Sequence, residues 1–195
     1  MTDGEGAVPQ GPDANGGPPR SVRAWLRHHW PAVLLPVLIL AGALLGSPGR
    51  DRTTLVGEEA PPLVGPLVSG SGALFELEAY RGRMVLLEFW ASWCTPCRRS
   101  APVLNAVQGA LGEEVSLVGV NVETRLPPAT VEAAHRLFGY RFPSMQDTGG
   151  RAMADYGIQN LPTIVLIDRE GVLRLRHEGV PEEGALLAEI RRHLR

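Results

Sequence analysis

The feature that most narrows what this chain can fold into is a change of period between residues 84 and 122. Met84 to Trp90 is a continuous apolar run with one interruption, Glu88, as expected of a strand buried on both faces. Pro96 to Leu111 then shows helical spacing, Val115 to Val122 is a second apolar strand, and Ala129 to Phe138 is helical again. Strand, helix and strand in that order specify an α/β unit with a parallel pair. Upstream, Leu63 to Val68 and Ala73 to Glu76 are short strand-like pieces around the turn signal Ser69-Gly70-Ser71-Gly72. Downstream of Phe142-Pro143 come a short segment, a helical piece from Arg151 to Tyr156 and a strand from Thr163 to Ile167. Asp168 to Gly171 reads as a hairpin turn into Val172 to His177, and a closing helix runs from Pro181 to Leu194. The fold class is therefore α/β, with a central mixed β-sheet flanked by helices and an N-terminal β-hairpin extension.

The first third of the chain follows a different logic. Residues 1 to 29 begin rich in Gly, Pro, Asp, Asn and Gln, without an apolar period, and end in the basic flank Arg20, Arg23, Arg27, His28 and His29. Such a tail has too little apolar surface to offset its ordering entropy. Residues 30 to 47, WPAVLLPVLILAGALLGS, carry no charge and are about long enough for a single transmembrane helix. The arginines ahead of it place the N-terminus in the cytoplasm and the remainder outside. A cleaved signal peptide is the competing reading, with Ala41, Gly42 and Ala43 as a small-residue site, but the leading segment of about thirty residues is long for one. Residues 48 to 62 read as a linker ending in Pro61-Pro62, and residues 63 to 195 as one domain.

Composition trims the functional options. The net charge of -2 leaves no basic surface for nucleic acid. All of the 19 positive residues are arginines, so lysine Schiff bases and Walker-type phosphate loops are excluded. The two cysteines, Cys94 and Cys97, stand in Trp93-Cys94-Thr95-Pro96-Cys97 between the first strand and its helix. A helix N-terminus favours a thiolate, which makes Cys94 the expected nucleophile. Cys97, one turn on, is near enough to resolve a mixed disulfide. Pro96 loses no needed hydrogen bond at a helix start. A zinc site would need two more ligands, and His135, His177 and His193 lack ligand spacing, so no metal is expected. Glu88 is the anomaly: it either faces a solvated edge, pairs with an arginine, or is a buried proton acceptor beneath the cysteines.

FWASWCTPCRRSAP, GVNVE, Phe142-Pro143, YGIQNLPTIVLIDREG and the terminal helix together resemble the TlpA/ResA-type branch of the thioredoxin family over residues 60 to 195. The resemblance implies a thioredoxin-like fold and a redox-active Cys94-Cys97 disulfide with no separate cofactor. It also implies a cis proline at Pro162 beside the cysteines, and an exposed Trp93, with Trp90 left to the core. Substrate contacts would then come from Trp93, Thr95, Pro96, Leu161 and Pro162, and Glu88 occupies the buried-acid position six residues before Cys94. Two departures stand out: Ser100 where several cytochrome-maturation members have an acid, and Thr163 where others have a glutamate after the cis proline. The expectation is an extracytoplasmic reductase of protein disulfides. Its partners would be cysteine-containing proteins such as apocytochrome c and a transmembrane thiol electron donor. The alternatives are a disulfide-forming oxidase using the same residues and a copper-binding module using the two thiols as soft ligands.

Overall fold

The structure is a computed structural model and describes residues 55 to 68 and 73 to 194. The tail, the apolar run Trp30 to Ser47, the first part of the linker and the Ser69 to Gly72 turn lie outside the described residues. No described helix is long and apolar enough to cross a membrane.

Five strands form one sheet: β3 (Met84–Trp90), β4 (Val115–Asn121), β5 (Ser144–Gln146), β6 (Thr163–Ile167) and β7 (Leu173–Glu178), ordered β5-β4-β3-β6-β7. β3 pairs parallel with β4 and antiparallel with β6. β4 and β5 run parallel, and β6 and β7 antiparallel, so the sheet is mixed as expected. Two further strands, β1 (Val64–Pro66) and β2 (Leu74–Glu76), form the antiparallel N-terminal pair. That pair is tied to the sheet edge by the Val68 N–H, which donates to the Ser144 carbonyl at 2.7 Å. β5 is a finding: the short segment after Phe142-Pro143 extends the sheet.

β3 is central because all seven of its residues are buried. Its side chains alternate between two cores, which a period of two requires. Met84, Leu86 and Trp90 face a layer built with α1 (Thr95–Leu111), α2 (Pro128–Phe138) and α4 (Glu183–Leu194). Val85, Leu87 and Phe89 face Phe75, Met145, Tyr156 and Ile158, beneath the β1-β2 pair and the short α3 (Ala152–Asp155). α1 presents Cys97, Ala101, Leu104, Val107 and Leu111 to the first core, a stripe at helical spacing.

Residues 55 to 62, assigned above to the linker, lie along the domain. Leu55 is buried, Gly57 N–H donates to the Leu173 carbonyl, and Ala60 N–H to the Gly171 carbonyl. The Tyr156 hydroxyl closes the set by donating to the Pro61 carbonyl at 2.7 Å. Backbone pairing along the β7 edge holds this largely polar segment, with Leu55 and Ala60 packed on the second core.

Gly119 on β4 is required by close approach. A Cβ there would lie 2.1 Å from Ser144 Oγ and 2.9 Å from Trp90 Nε1, whereas one on Gly109, on the exposed face of α1, meets nothing. Gly119→Ala is expected to destabilise the protein by about 1–3 kcal/mol through overpacking. Gly109→Ala is expected to stabilise it by about 0.5–1 kcal/mol. Denaturant unfolding of the two variants checks both signs.

Candidate active site

β3 ends at Trp90, and the chain turns through Ala91, Ser92 and Trp93 into α1. Glu123, just past β4, braces that turn: its carboxylate accepts from the Ser92 N–H at 2.6 Å and from the Ser92 hydroxyl at 2.8 Å. The Asn121 amide donates to the Glu123 carboxylate and its Oδ1 accepts from the Glu123 N–H, while the Gln146 amide donates to the Glu123 carbonyl. GVNVE thus supplies the clamp on the segment that delivers Trp93 and Cys94.

Cys94 is the N-cap of α1, and its Sγ accepts the Cys97 N–H at 3.1 Å. Ser, Thr, Asp and Asn are the usual caps, satisfying one of the free N–H groups of the first turn. Here a sulfur does so. Pro96 at the second helical position has no N–H to leave unpaired. Cys94 and Cys97 are joined in a disulfide with Cα atoms 5.3 Å apart, and both are buried.

A groove of about 400 Å³ opens beside the disulfide, lined by Trp93, Cys94, Pro96, Met153, Asn160 and Leu161, with Thr95 and Gln159 completing it. Trp93 is 70% exposed at its rim. Trp90 is fully buried and packs on Phe138 and Tyr140. The Leu161-Pro162 peptide is cis, and the Thr163 hydroxyl donates to the Asn160 carbonyl at 2.6 Å, closing the loop that carries it. Leu161 borders the groove while Pro162 is buried behind it.

Beneath the cysteines, the structure excludes two of the readings of Glu88, a solvated edge and an arginine partner. It is 1% exposed in the middle of β3, with neighbouring strands on both sides. No arginine bonds it among the described residues. Its Oε1 contacts the Ser100 hydroxyl and its Oε2 has no hydrogen-bond partner there. Burial pushes its pKa up to about 8, and the nearby hydroxyls of Ser100 and Tyr140 offset only part of that rise. The Ser100 hydroxyl also reaches the Cys97 carbonyl at 2.8 Å, as does that of Tyr140 at 3.3 Å. Burial, and then the neighbouring Glu88, push the Tyr140 phenol above the usual tyrosine range.

Tyr140 reaches this point by long-range construction. Gly139 caps α2 in the left-handed region, at φ 79°, where a side chain is disfavoured. Asn105 on α1 then clamps the turn, donating to the Gly139 carbonyl at 2.8 Å and accepting from the Arg141 N–H at 3.0 Å. Tyr140 and Asn105 carry no signal in the sequence, and Glu123 shows there only as the end of GVNVE, because none of them belongs to the cysteine segment and only the fold joins them to it. Ser100 was noticed only as a missing acid. It stands against the carboxyl that the strand supplies. No cluster of three or more His, Cys, Asp or Glu suited to a metal occurs among the described residues.

A disulfide pair at the start of a helix, a groove beside it and an acid within the core are the features of a thiol-disulfide oxidoreductase of the thioredoxin-like class. The family model described as Redoxin matches residues 55 to 191, and the chain belongs to that family. It is similar to the thiol-disulfide oxidoreductase ResA of Geobacillus kaustophilus, at 34% identity over 146 residues, covering 73% of this chain and 82% of the relative. ResA of Bacillus cereus is 30% identical over 141 residues, covering 69% and 79%. Among solved structures, a putative thiol:disulfide interchange protein DsbE from Chlorobium tepidum superposes with a TM-score of 0.64 at 31% identity. It covers 72% of this chain and 98% of its own. Enzymes of this kind work through an intrinsic disulfide, consistent with the Cys94-Cys97 pair.

Folded and unfolded chains both hold the Glu88 proton below about pH 4.5, and between there and about 8 only the unfolded chain releases it. The raised pKa therefore contributes stability that is full below pH 4.5 and is lost as pH rises to about 8, a loss on the order of a few kcal/mol. Glu88→Gln should abolish this dependence. Denaturant unfolding of the oxidised protein at pH 5 and pH 8.5 checks it, and equal losses in wild type and variant would refute it.

Proposed function

We propose that this protein is a membrane-anchored, extracytoplasmic reductase of protein disulfides that keeps substrate cysteines reduced, as cytochrome c maturation requires. In the dithiol form the Cys94 thiolate attacks a substrate disulfide, forming a mixed disulfide and releasing one substrate thiolate. In the fraction of the protein that carries Glu88 ionised, Cys97 passes its thiol proton to the Glu88 carboxylate, and its thiolate attacks the Cys94 sulfur. The Cys94-Cys97 disulfide forms and the second substrate sulfur leaves. Two electrons pass to the substrate, and its thiolates take protons from solvent. Trp93, Thr95, Pro96 and Leu161 hold the substrate chain in the groove, with Pro162 shaping the Leu161 backbone.

The observation that supports this direction is the modest support given to the Cys94 sulfur. One backbone N–H donates to it, from Cys97, and among the described residues no cationic side chain bonds it. Pairs whose reduced form is strongly stabilised are strong oxidants. A pair whose thiolate rests on the helix N-terminus alone, with no cationic side chain added, is less strongly held in the reduced form and more readily gives its electrons away. The arginines ahead of Trp30 support placement of the domain outside the cytoplasm. The apolar run itself has no cysteine, so electrons would come from a separate transmembrane thiol carrier.

Cys94→Ala is expected to abolish disulfide reduction. Cys97→Ser is expected to stop at the mixed disulfide, visible as a covalent adduct on non-reducing gels and removed by dithiothreitol. An adduct containing an apocytochrome supports the substrate class. Full turnover by either variant would overturn the assigned roles.

A further inference from the structure

Ser100 has a single hydroxyl proton and two acceptors. It contacts Glu88 Oε1 and reaches the Cys97 carbonyl at 2.8 Å. Both contacts are hydrogen bonds at once only when Glu88 brings a proton of its own. The acid then donates to Ser100 Oγ, and Ser100 donates to the Cys97 carbonyl. When Glu88 is ionised, its carboxylate is the stronger acceptor and draws the Ser100 proton to itself. The Cys97 carbonyl then keeps the Tyr140 hydroxyl, at 3.3 Å, as its side-chain donor.

We propose that Ser100 and Tyr140 form a reversible hydrogen-bond switch linking the protonation state of Glu88 to the Cys97 backbone. Ser100 is a positioning residue: its hydroxyl points one way with Glu88 neutral and the other with Glu88 charged. The proposal rests on the reaction assigned above, in which Glu88 takes a proton as the disulfide closes. The product of that step, oxidised protein with neutral Glu88, is the arrangement in which every Ser100 contact is satisfied. The switch thus favours completion of the step over its reversal.

The surroundings leave few competing charges. β4 offers Gly119 opposite Glu88 and β6 offers Ile164. α1 offers Ser100 and Cys97, and the turn after α2 offers Tyr140. Behind Tyr140 lies His135, its ring 5.2 Å away, where burial lowers its pKa and favours the neutral imidazole. His177 on β7 lies one strand further, beyond Ile164.

The test follows the Glu88 carboxyl in the oxidised full-length chain by its infrared C=O band, assigned by its loss in Glu88→Gln. The Ser100 hydrogen bond lowers the carboxyl pKa, and Tyr140 holds the Cys97 carbonyl that Ser100 releases when Glu88 ionises, so removing either hydroxyl should raise the midpoint. Ser100→Ala is expected to move the midpoint up by about one pH unit, the scale of one hydrogen bond to a charged group. Tyr140→Phe should move it the same way by less, and Ser100→Thr, which keeps the hydroxyl, should restore the wild-type value. The corresponding inflection in the rate of disulfide exchange should shift with it. If Ser100→Ala does not fold, Tyr140→Phe decides the matter. An unmoved midpoint in the folded variants, or a rate lowered by one factor at every pH, would overturn the switch. The midpoint needs no substrate, so a wild-type chain that reduces no disulfide would refute the proposed reaction and still leave the switch decided.

Discussion

A carboxyl group in the middle of the most buried strand is the constraint around which the site is built. Glu88 occupies a position where an unpaired charge would cost several kcal/mol, and its neighbours supply hydroxyls rather than cations. This environment keeps the acid neutral near physiological pH while allowing it to ionise within reach of that range. Replacing the hydroxyls by an arginine would hold Glu88 charged, and exposing it would leave it an ordinary carboxylate. Neither would give the proton acceptor that the proposed reaction requires.

The rest of the architecture positions the two sides of that acid. On the inner side, α1 brings Ser100 and the Cys97 carbonyl to Glu88, while Gly139 and Asn105 fold Tyr140 back over them. On the outer side, Glu123 grips Ser92 and so sets the loop that presents Trp93 and the Cys94 sulfur. The groove and the acid are separated by the first turn of one helix. Cys94 borders the groove and Cys97 belongs to the buried side, a division of labour suited to a nucleophile and a resolving thiol.

Much of this was legible in the sequence where the signal was local. Met84 to Trp90 was readable with its observed bounds because a run of seven residues, apolar but for Glu88, is too short for a buried helix and suits a strand covered on both faces. The order of elements followed from alternating periods, and the cis bond at Pro162 from a family resemblance. β5 was missed as a strand because Ser-Met-Gln is three residues long with no apolar alternation. Residues 55 to 62 read as a linker because backbone hydrogen bonds, which hold them, leave no trace in side-chain pattern. Tyr140 and Asn105 acquire their roles only when α1 and the turn after α2 meet, a contact between residues 34 positions apart in the case of Asn105 and Gly139. Glu88 lay between these extremes: its oddity was visible, but only the paired strands on either side exclude a solvated edge.

The reduction potential of the Cys94-Cys97 pair in the full-length protein, equilibrated against dithiothreitol and glutathione buffers at pH 7, tests the account most directly. A Cys94 thiolate held by the helix N-terminus without a cationic side chain, beside a buried acid, predicts a value near that of thioredoxin, roughly -270 mV. A value near roughly -120 mV, as in strongly oxidising members of the fold, would contradict it and make the protein a former of disulfides.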